Sequence, residues 1–311
     1  MKAILLDKSG DAENFRISEY NMPSINPAEV LVELKAISIN PADAKMRSGG
    51  YRQLDFSSPV IMGWDMSGVV VQAGSEVTEL KVGDRVFGMI RFPDLGHTYA
   101  EYVAAPADHL AVIPQNISFE QAAASTLAAL TAYQTIVDKA KIEIGQRVLI
   151  HAASGGVGHF AIQLAKSLGA HVIGTSSPEN RDFILGLGAD QHVDYKGDEL
   201  EKNISEVDFI LDSLGKENLL RSIPLLKTGG RLLTILHGID QEVTDKARDK
   251  AVDLLFHLVE PNQKDIKAIA ELLANGTIKP HIFQVFPFEK MADAHKQIET
   301  GRTIGRVVIS I

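Results

Sequence analysis

The chain has 311 residues, enough for two domains; 45% are hydrophobic and 23% charged, with a formal net charge of −9. The acidity disfavours nucleic-acid and anionic-membrane partners, which call for a basic face, and the absence of cysteine excludes disulfides, thiolate-held metals and a thiol nucleophile. No apolar run approaches the ~18 residues of a membrane span and the N-terminal one is too short for a signal peptide, so a soluble, cytoplasmic protein is expected.

The first third reads as short strands cut by Gly, Pro and Asp. In AEVLVELKAISIN (28–40), Val30, Val32 and Leu34 alternate with Leu31, Glu33 and Lys35, the pattern of a half-buried strand. SGVVVQAG (67–74), GDRVFGM (83–89) and YAEYVAAP (99–106) are further strands between turn residues. Together they suggest a small β-barrel. From Ala122 the texture changes. RVLIHA (147–152) is a buried strand. Val157, Phe160, Ala161, Leu164, Ala165 and Leu168 then recur at helical spacing, with Gly169 as the cap. AHVIGT, QHVDY, VDFILD and GGRLLTIL follow as strands, separated by helical segments such as PENRDFILGLG. This alternation predicts a parallel sheet with helices on both faces. QKDIKAIAELLANG (263–276) is a last helix before β texture returns in FQVFPFE and GRVVISI. The expected division is therefore 1–121 plus 276–311 for the β-rich domain, with 122–275 inserted as a Rossmann-type dinucleotide-binding domain.

ASGGVG (153–158) lies between the predicted strand and the amphipathic helix. A dinucleotide pyrophosphate sits against such a helix N-terminus, where free N–H groups and the helix dipole favour its charge. Gly155 lets the backbone approach the phosphates and Gly158 lets the helix press on the strand. The first position needs only a tight turn, which Ala153 can make. Ser154, Gly155, Gly156, Val157 and Gly158 are the expected phosphate cradle, in the context that gives the motif its meaning.

NAD specificity asks for a carboxylate near the end of the second strand, to hold the ribose hydroxyl. Here that strand ends in IGTSSPENR: Ser176 and Ser177 take the place, and Arg181 follows one helical turn later. Tyr195 stands at the end of the third strand. Hydroxyls with a nearby cation suit a 2′-phosphate, hence NADPH. The alternative is local: Ser177 before Pro178 is also a helix cap, and Arg181 can be merely solvated.

The motifs together resemble the medium-chain dehydrogenase/reductase superfamily, and within it the zinc-independent quinone oxidoreductase (zeta-crystallin-like) branch. The resemblance rests on NPAEVLVELKAISINPADAKMRSGGY (26–51), PVIMGWDMSGVVVQAGSEVTELKVGDRVFGM (59–89), YAEYVAAPADHLAVIP (99–114), LAALTAY (127–133), HAASGGVGHFAIQLAK (151–166) and GTIKPHIFQVFPFEKMADAHKQIETGRTIGRVV (276–308). It implies an α/β fold, with a Rossmann doubly wound parallel sheet inserted into a GroES-like β-barrel. Zinc-dependent members place a cysteine where this chain has Asn40, a histidine–glutamate pair at Trp64-Asp65, a second cysteine near Leu127 and a proton-relaying serine at Ala42. No catalytic zinc set survives these changes, so alcohol oxidation, which needs a Lewis acid, is not expected.

What the resemblance implies instead is hydride transfer from NADPH to a quinone or α,β-unsaturated carbonyl, with the protein mainly positioning both partners. Asn40 and Thr131 are then expected at the nicotinamide end. Tyr51 is the candidate for touching the acceptor oxygen, or else a wall of the pocket; with Asn40 it makes the catalytic pair. Ser213, Leu214 and His237 lie in loops expected at the carboxyl edge of the sheet, and Arg306 is a candidate for the pyrophosphate or adenosine side. Asp43 and Asp65 read as structural carboxylates paired with Arg47 or Arg85, and His151 and His159 as packing histidines. A homodimer through an edge strand is also implied. The alternatives are an enoyl-thioester reductase, for which residues 40–65 lack a basic cluster, and a non-catalytic NADPH-binding interaction protein.

Overall fold

A computed structural model describes residues 1–51, 53–196, 199–204 and 206–311. The chain divides into two compact units. Unit 1 comprises 1–130, 260–276 and 280–311; unit 2 comprises 131–259 and 277–279. Helix Gln263–Ala274, expected with the nucleotide domain, falls in unit 1. Asn116 donates to the Ala274 carbonyl and Lys267 pairs with Glu79 there. No helix among the described residues is long and apolar enough to cross a membrane.

Unit 1 opens with β1 (Lys2–Leu6), β2 (Phe15–Glu19), β3 (Glu29–Ile39), β4 (Val60–Ile61), β5 (Asp65–Ala73), β6 (Arg85–Met89), β7 (Tyr102–Pro106) and β8 (Ala111–Val112). Strands β1, β2 and β4 form a three-stranded sheet. The larger sheet is built on β3, which pairs antiparallel with β5 and β7 and with a strand at the C-terminus, Arg306–Ser310. The half-buried reading holds at Glu33 and Lys35, the two partly exposed residues of β3, while Ala36–Ile39 is buried on both faces. Nearly every residue of β3 is buried, and its two charged interior residues, Glu33 and Lys35, pair with each other at 2.6 Å. Helix α1 (Pro41–Ser48) follows β3 directly. Proline at its first position and Gly49 in the left-handed conformation at its end mark its limits.

Unit 2 carries β9 (Arg147–Ile150), β10 (His171–Ser176), β11 (Gln191–Asp194), β12 (Val207–Asp212), β13 (Leu226–Thr234) and β14 (Asp253–Phe256). All are parallel, in the order β11-β10-β9-β12-β13-β14, the doubly wound 3-2-1-4-5-6 arrangement that binds dinucleotides at the carboxyl edge. An apolar cluster around Leu149, Ile173, Ile210, Leu219, Leu226 and Leu232 fills one face. Helix α2 (Gly158–Ser167) packs on β9 and β10. It sits so close that a Cβ on Gly158 would stand 2.4 Å from the Ala152 carbonyl oxygen and 2.7 Å from Ala153 Cα. Helix α3 (Arg181–Gly186) ends on a glycine whose surroundings are open.

Two glycines therefore predict opposite outcomes. Gly158→Ala should lower stability by roughly 1–3 kcal/mol, and Gly186→Ala should leave it unchanged or raise it by about 0.5 kcal/mol. Chemical denaturation of both variants checks this.

Candidate cofactor and active site

After β9 the chain turns at Ala152, which takes a φ of 47°. Ala153 is buried and donates its N–H to the Thr175 carbonyl at 2.9 Å. A Cβ placed on Gly174 of β10 would stand 3.0 Å from the Ala153 methyl. The bare backbone at 174 makes room for alanine at the position where a glycine is usual. By contrast, a Cβ on Gly155 would meet only the Ala152 carbonyl oxygen, at 3.1 Å. The protein leaves that face of the loop as an open cradle. His159 Nδ1 donates to the Gly155 carbonyl at 2.9 Å and its ring lies on Phe160, fixing the loop to the first turn of α2. Ser154, Gly155, Gly156 and Val157 thus lead into Gly158 at the N-terminus of α2, whose dipole favours an anion. These residues fit a dinucleotide pyrophosphate.

His151 is a packing residue, as the sequence suggests. Its two ring nitrogens meet Thr175 Oγ1 at 3.0 Å and Ser222 Oγ at 2.9 Å, and burial drives its pKa down to about 3.

Ser176 ends β10 directly opposite Asp194 of β11. Its hydroxyl donates to the Ser177 carbonyl at 2.9 Å, and His192 Nε2 lies 3.2 Å from the same hydroxyl. Asn180, which the sequence reading passed over, supplies the link. Its Nδ2 donates to Ser154 Oγ at 3.1 Å and to Ser177 Oγ at 3.3 Å, tying the glycine loop to the end of β10. The available signal was a short polar residue three positions after Ser177. Arg181 is exposed at the start of α3 with its guanidinium on Asp182, 3.1 Å away. Tyr195 is exposed just past β11. The Lys196 ammonium stands 5.9 Å from its ring centre and Arg221 donates to its carbonyl at 3.5 Å. The structure gathers Ser154, Ser176 and Ser177 through Asn180, and sets Tyr195 between two cations that sequence reasoning missed.

The loop after β12 is organised by Asp212, another residue missed. Buried, it accepts from the backbone N–H groups of Leu214 and Gly215, from Asn218 Nδ2 at 2.8 Å and from Thr234 Oγ1 at 2.9 Å. Burial raises its pKa, and these donors oppose the shift. The turn leaves Ser213 half-buried and Leu214 51% exposed at the carboxyl edge. His237, after β13, is exposed and stacked on Phe256 at 4.4 Å. Thr131 is buried in the helix Leu127–Tyr133, its carbonyl accepting from Thr135 Oγ1 at 2.8 Å.

In unit 1 the buried polar groups converge on Asp65, at the start of β5. One carboxylate oxygen accepts from the Leu127 N–H at 3.0 Å; the other accepts from Asn40 Nδ2 at 3.0 Å and from Arg306 Nη2 at 2.8 Å. Arg306 also donates to Ser38 Oγ at 2.6 Å. It is 3% exposed, so its guanidinium belongs to this buried network, not to a pyrophosphate-facing surface. Nor do the carboxylates pair as expected: Arg47 meets Glu299 and the Gly10 carbonyl, while Arg85 lies over the Phe119 ring. Asn40 gives Nδ2 to Asp43 Oδ2 as well, at 3.1 Å, and its backbone N–H to the same oxygen at 2.8 Å. Both amide protons are committed, so Asn40 has no donor left for an acceptor oxygen and presents only Oδ1. Tyr51 is half-buried, its ring edge-on to Trp64 with centroids 6.5 Å apart; Trp64 in turn contacts Phe92 at 4.9 Å.

Comparison with known proteins decides the family. Residues 26–115 match the alcohol dehydrogenase GroES-like domain, and 187–309 match the zinc-binding dehydrogenase domain. The chain is 33% identical to 2-methylene-furan-3-one reductase of Solanum lycopersicum, over 99% of this chain and 79% of that one. The quinone oxidoreductase of Coxiella burnetii superposes with a TM-score of 0.93 at 33% identity, covering 100% and 99% of the two chains. The Escherichia coli quinone oxidoreductase complexed with NADPH does so at 0.89 and 29%, covering both chains fully.

The chain belongs to the quinone oxidoreductase branch of the medium-chain dehydrogenase/reductase superfamily. It is an α/β oxidoreductase built to hold a nicotinamide dinucleotide. Although one matching domain is described as zinc-binding, this member has asparagine, tryptophan and aspartate at 40, 64 and 65. In this member Asp65 faces a guanidinium and an amide.

The Asp43–Asp65 pair predicts an unusual pH dependence. Burial raises the Asp43 pKa to about 7, helped by the neighbouring Asp65 charge and opposed by the Asn40 bonds. Its folded value lies above its unfolded one of about 4. Between these values the unfolded chain gives up a proton that the folded chain keeps. Stability from this group is therefore fully present below pH ~4, falls as pH rises and levels off above ~7, a total of up to ~4 kcal/mol. Asp43→Asn removes this titration, so the difference in denaturation free energy between wild type and variant should itself fall as pH rises from 4 to 7 and level off by pH 8.

Proposed function

We propose that this protein is an NADPH-dependent, zinc-independent reductase that delivers hydride to a quinone or an α,β-unsaturated carbonyl. The observation that carries the cofactor choice is the end of β10. Ser176, Ser177 and Asn180 offer hydroxyl and amide groups where NAD enzymes hold a carboxylate. Arg181, Lys196 and Arg221 supply positive charge around Tyr195 and α3. Asp194 turns its side chain to the Lys196 N–H at 3.1 Å, and Asp182 lies on Arg181 at 3.1 Å.

In this reading Ser154 to Gly158 hold the pyrophosphate, while Ser176, Ser177, Arg181 and Tyr195 hold the 2′-phosphate. Ser213, Leu214 and His237 line the nicotinamide half, with Thr131 at its end. NADPH supplies the hydride. The chain's own task is positional: the glycine cradle fixes the phosphates, the Asp212 turn sets the Ser213–Leu214 backbone, and Tyr51 contacts the acceptor oxygen and provides it with a proton. Asn40 does not hold the developing oxyanion, because both of its amide protons are committed. Quinones and enones suit such a site, since they accept hydride without a Lewis acid. The homodimer contact is assigned to β14, one of the two edge strands of the unit 2 sheet, where Phe256 is 40% exposed.

The test is a paired titration with NADPH and NADH, followed by NADPH oxidation with 9,10-phenanthrenequinone and with a simple enone. Arg181→Ala should weaken NADPH binding roughly tenfold and NADH binding less than about twofold. Equal weakening of both cofactors would remove Arg181 from the 2′-phosphate site, and tight binding without turnover of either acceptor would favour an interaction protein.

A further inference from the structure

We propose that Asn180 is a positioning residue for the cofactor phosphates: by giving its amide protons to the hydroxyl oxygens of Ser154 and Ser177, it leaves one serine proton for the pyrophosphate and one for the 2′-phosphate. The proposal deepens the NADPH reading above and rests on it.

Local structure puts Asn180 in place. Ser177 leaves β10 in an extended conformation, Pro178 opens a single helical turn, and the Asn180 N–H closes that turn on the Ser177 carbonyl at 3.0 Å. A serine before such a turn ordinarily caps it, its hydroxyl accepting from the backbone two or three residues on. Ser177 makes no such bond. Its hydroxyl is met by the Asn180 side chain, with Nδ2 3.3 Å from Oγ. The same Nδ2 lies 3.1 Å from Ser154 Oγ, in the glycine loop. Capping therefore does not account for the Ser177 hydroxyl.

Donor supply decides what the two hydroxyls can do. An amide nitrogen carries two protons; a serine hydroxyl carries one proton and two lone pairs. Ser154 and Ser177 each take one Asn180 proton, and among the described residues neither hydroxyl has a protein acceptor for its own. Both residues are half-buried, so an anion can reach them. Ser176 is the contrast. Its proton goes to the Ser177 carbonyl at 2.9 Å and its oxygen faces His192 Nε2 at 3.2 Å, so it serves the site by holding Ser177. The amide that this edge offers is thus given to the serines, and a hydroxyl that accepts from an N–H becomes a stronger donor in turn. Turned the other way, the amide would present Oδ1, draw both serine protons inward and leave lone pairs towards the phosphates, an arrangement that an anion opposes.

The two halves of this device separate by cofactor. Ser154 faces a pyrophosphate that NADPH and NADH share, whereas the Ser177 proton has a partner only when a 2′-phosphate is present. A residue that merely braced the loop would affect both cofactors alike.

The experiment is calorimetric titration with adenosine 2′,5′-bisphosphate and with 5′-AMP, for wild type, Asn180→Ala, Ser177→Ala and the double variant. The wild type should prefer the bisphosphate. Ser177→Ala should cut that preference about tenfold and Asn180→Ala about fivefold. The double variant should lose no more than Ser177→Ala alone, because Asn180 reaches the 2′-phosphate through that hydroxyl. Equal weakening of both probes by Asn180→Ala, or losses that multiply in the double variant, overturns the proposal while leaving the NADPH reading intact. Asn180→Asp keeps the shape of the side chain and serves if the alanine variant does not fold. Its carboxylate takes the serine protons, so the preference should fall further than in Asn180→Ala, and a preserved preference overturns the proposal. A wild type that binds both probes equally overturns the NADPH reading itself, and the proposal with it.

Discussion

The Asp65 carboxylate is the constraint on which unit 1 depends. It stands at the head of β5 and takes bonds from three distant parts of the chain: Asn40 at the entry to α1, Leu127 at the start of the connecting helix, and Arg306 on the last strand. A buried carboxylate must be paired and hydrogen-bonded or give up its charge. Asp65 meets that demand by drawing the N-terminal, middle and C-terminal segments to one point. The cost is visible in its neighbour. Asp43, which pairs with no cation among the described residues, holds its proton far above the ordinary carboxylate range.

Unit 2 solves a different problem with the same chemistry. Its loops at the carboxyl edge must be firm without side chains in the way of a ligand. Asp212 achieves this after β12 by gathering backbone N–H groups, an amide and a hydroxyl. Asn180 does it between the glycine loop and β10, and Gly174 does it by having no side chain at all. In each case one residue sets the conformation of a neighbouring loop.

Much of this was legible in the sequence where the information is local. Helical spacing from Val157 to Leu168, the short apolar strands of unit 2 and the glycines at 155 and 158 each report on their own neighbourhood. The strand–helix alternation then dictates the parallel sheet. The carboxylate partners were not legible, because they are remote. Arg306 lies 241 residues from Asp65, and no spacing rule chooses it over Arg47 or Arg85. The same limit misplaced Gln263–Ala274: its helical period is plain, but which unit it packs on depends on Asn116 and Glu79. For β3, alternation located the wet face at Glu33 and Lys35 but not the burial of both faces from Ala36 to Ile39.

The central claim is hydride transfer from a nicotinamide dinucleotide to a conjugated acceptor in a site that needs no metal. The most direct measurement is turnover of a simple enone with NADPH carrying deuterium at C4 of the nicotinamide, in the presence of a chelator. The account predicts one deuterium on the β-carbon of the saturated product and a rate unaffected by the chelator. Loss of activity with the chelator, or reduction at the carbonyl carbon to give an allylic alcohol, would contradict it.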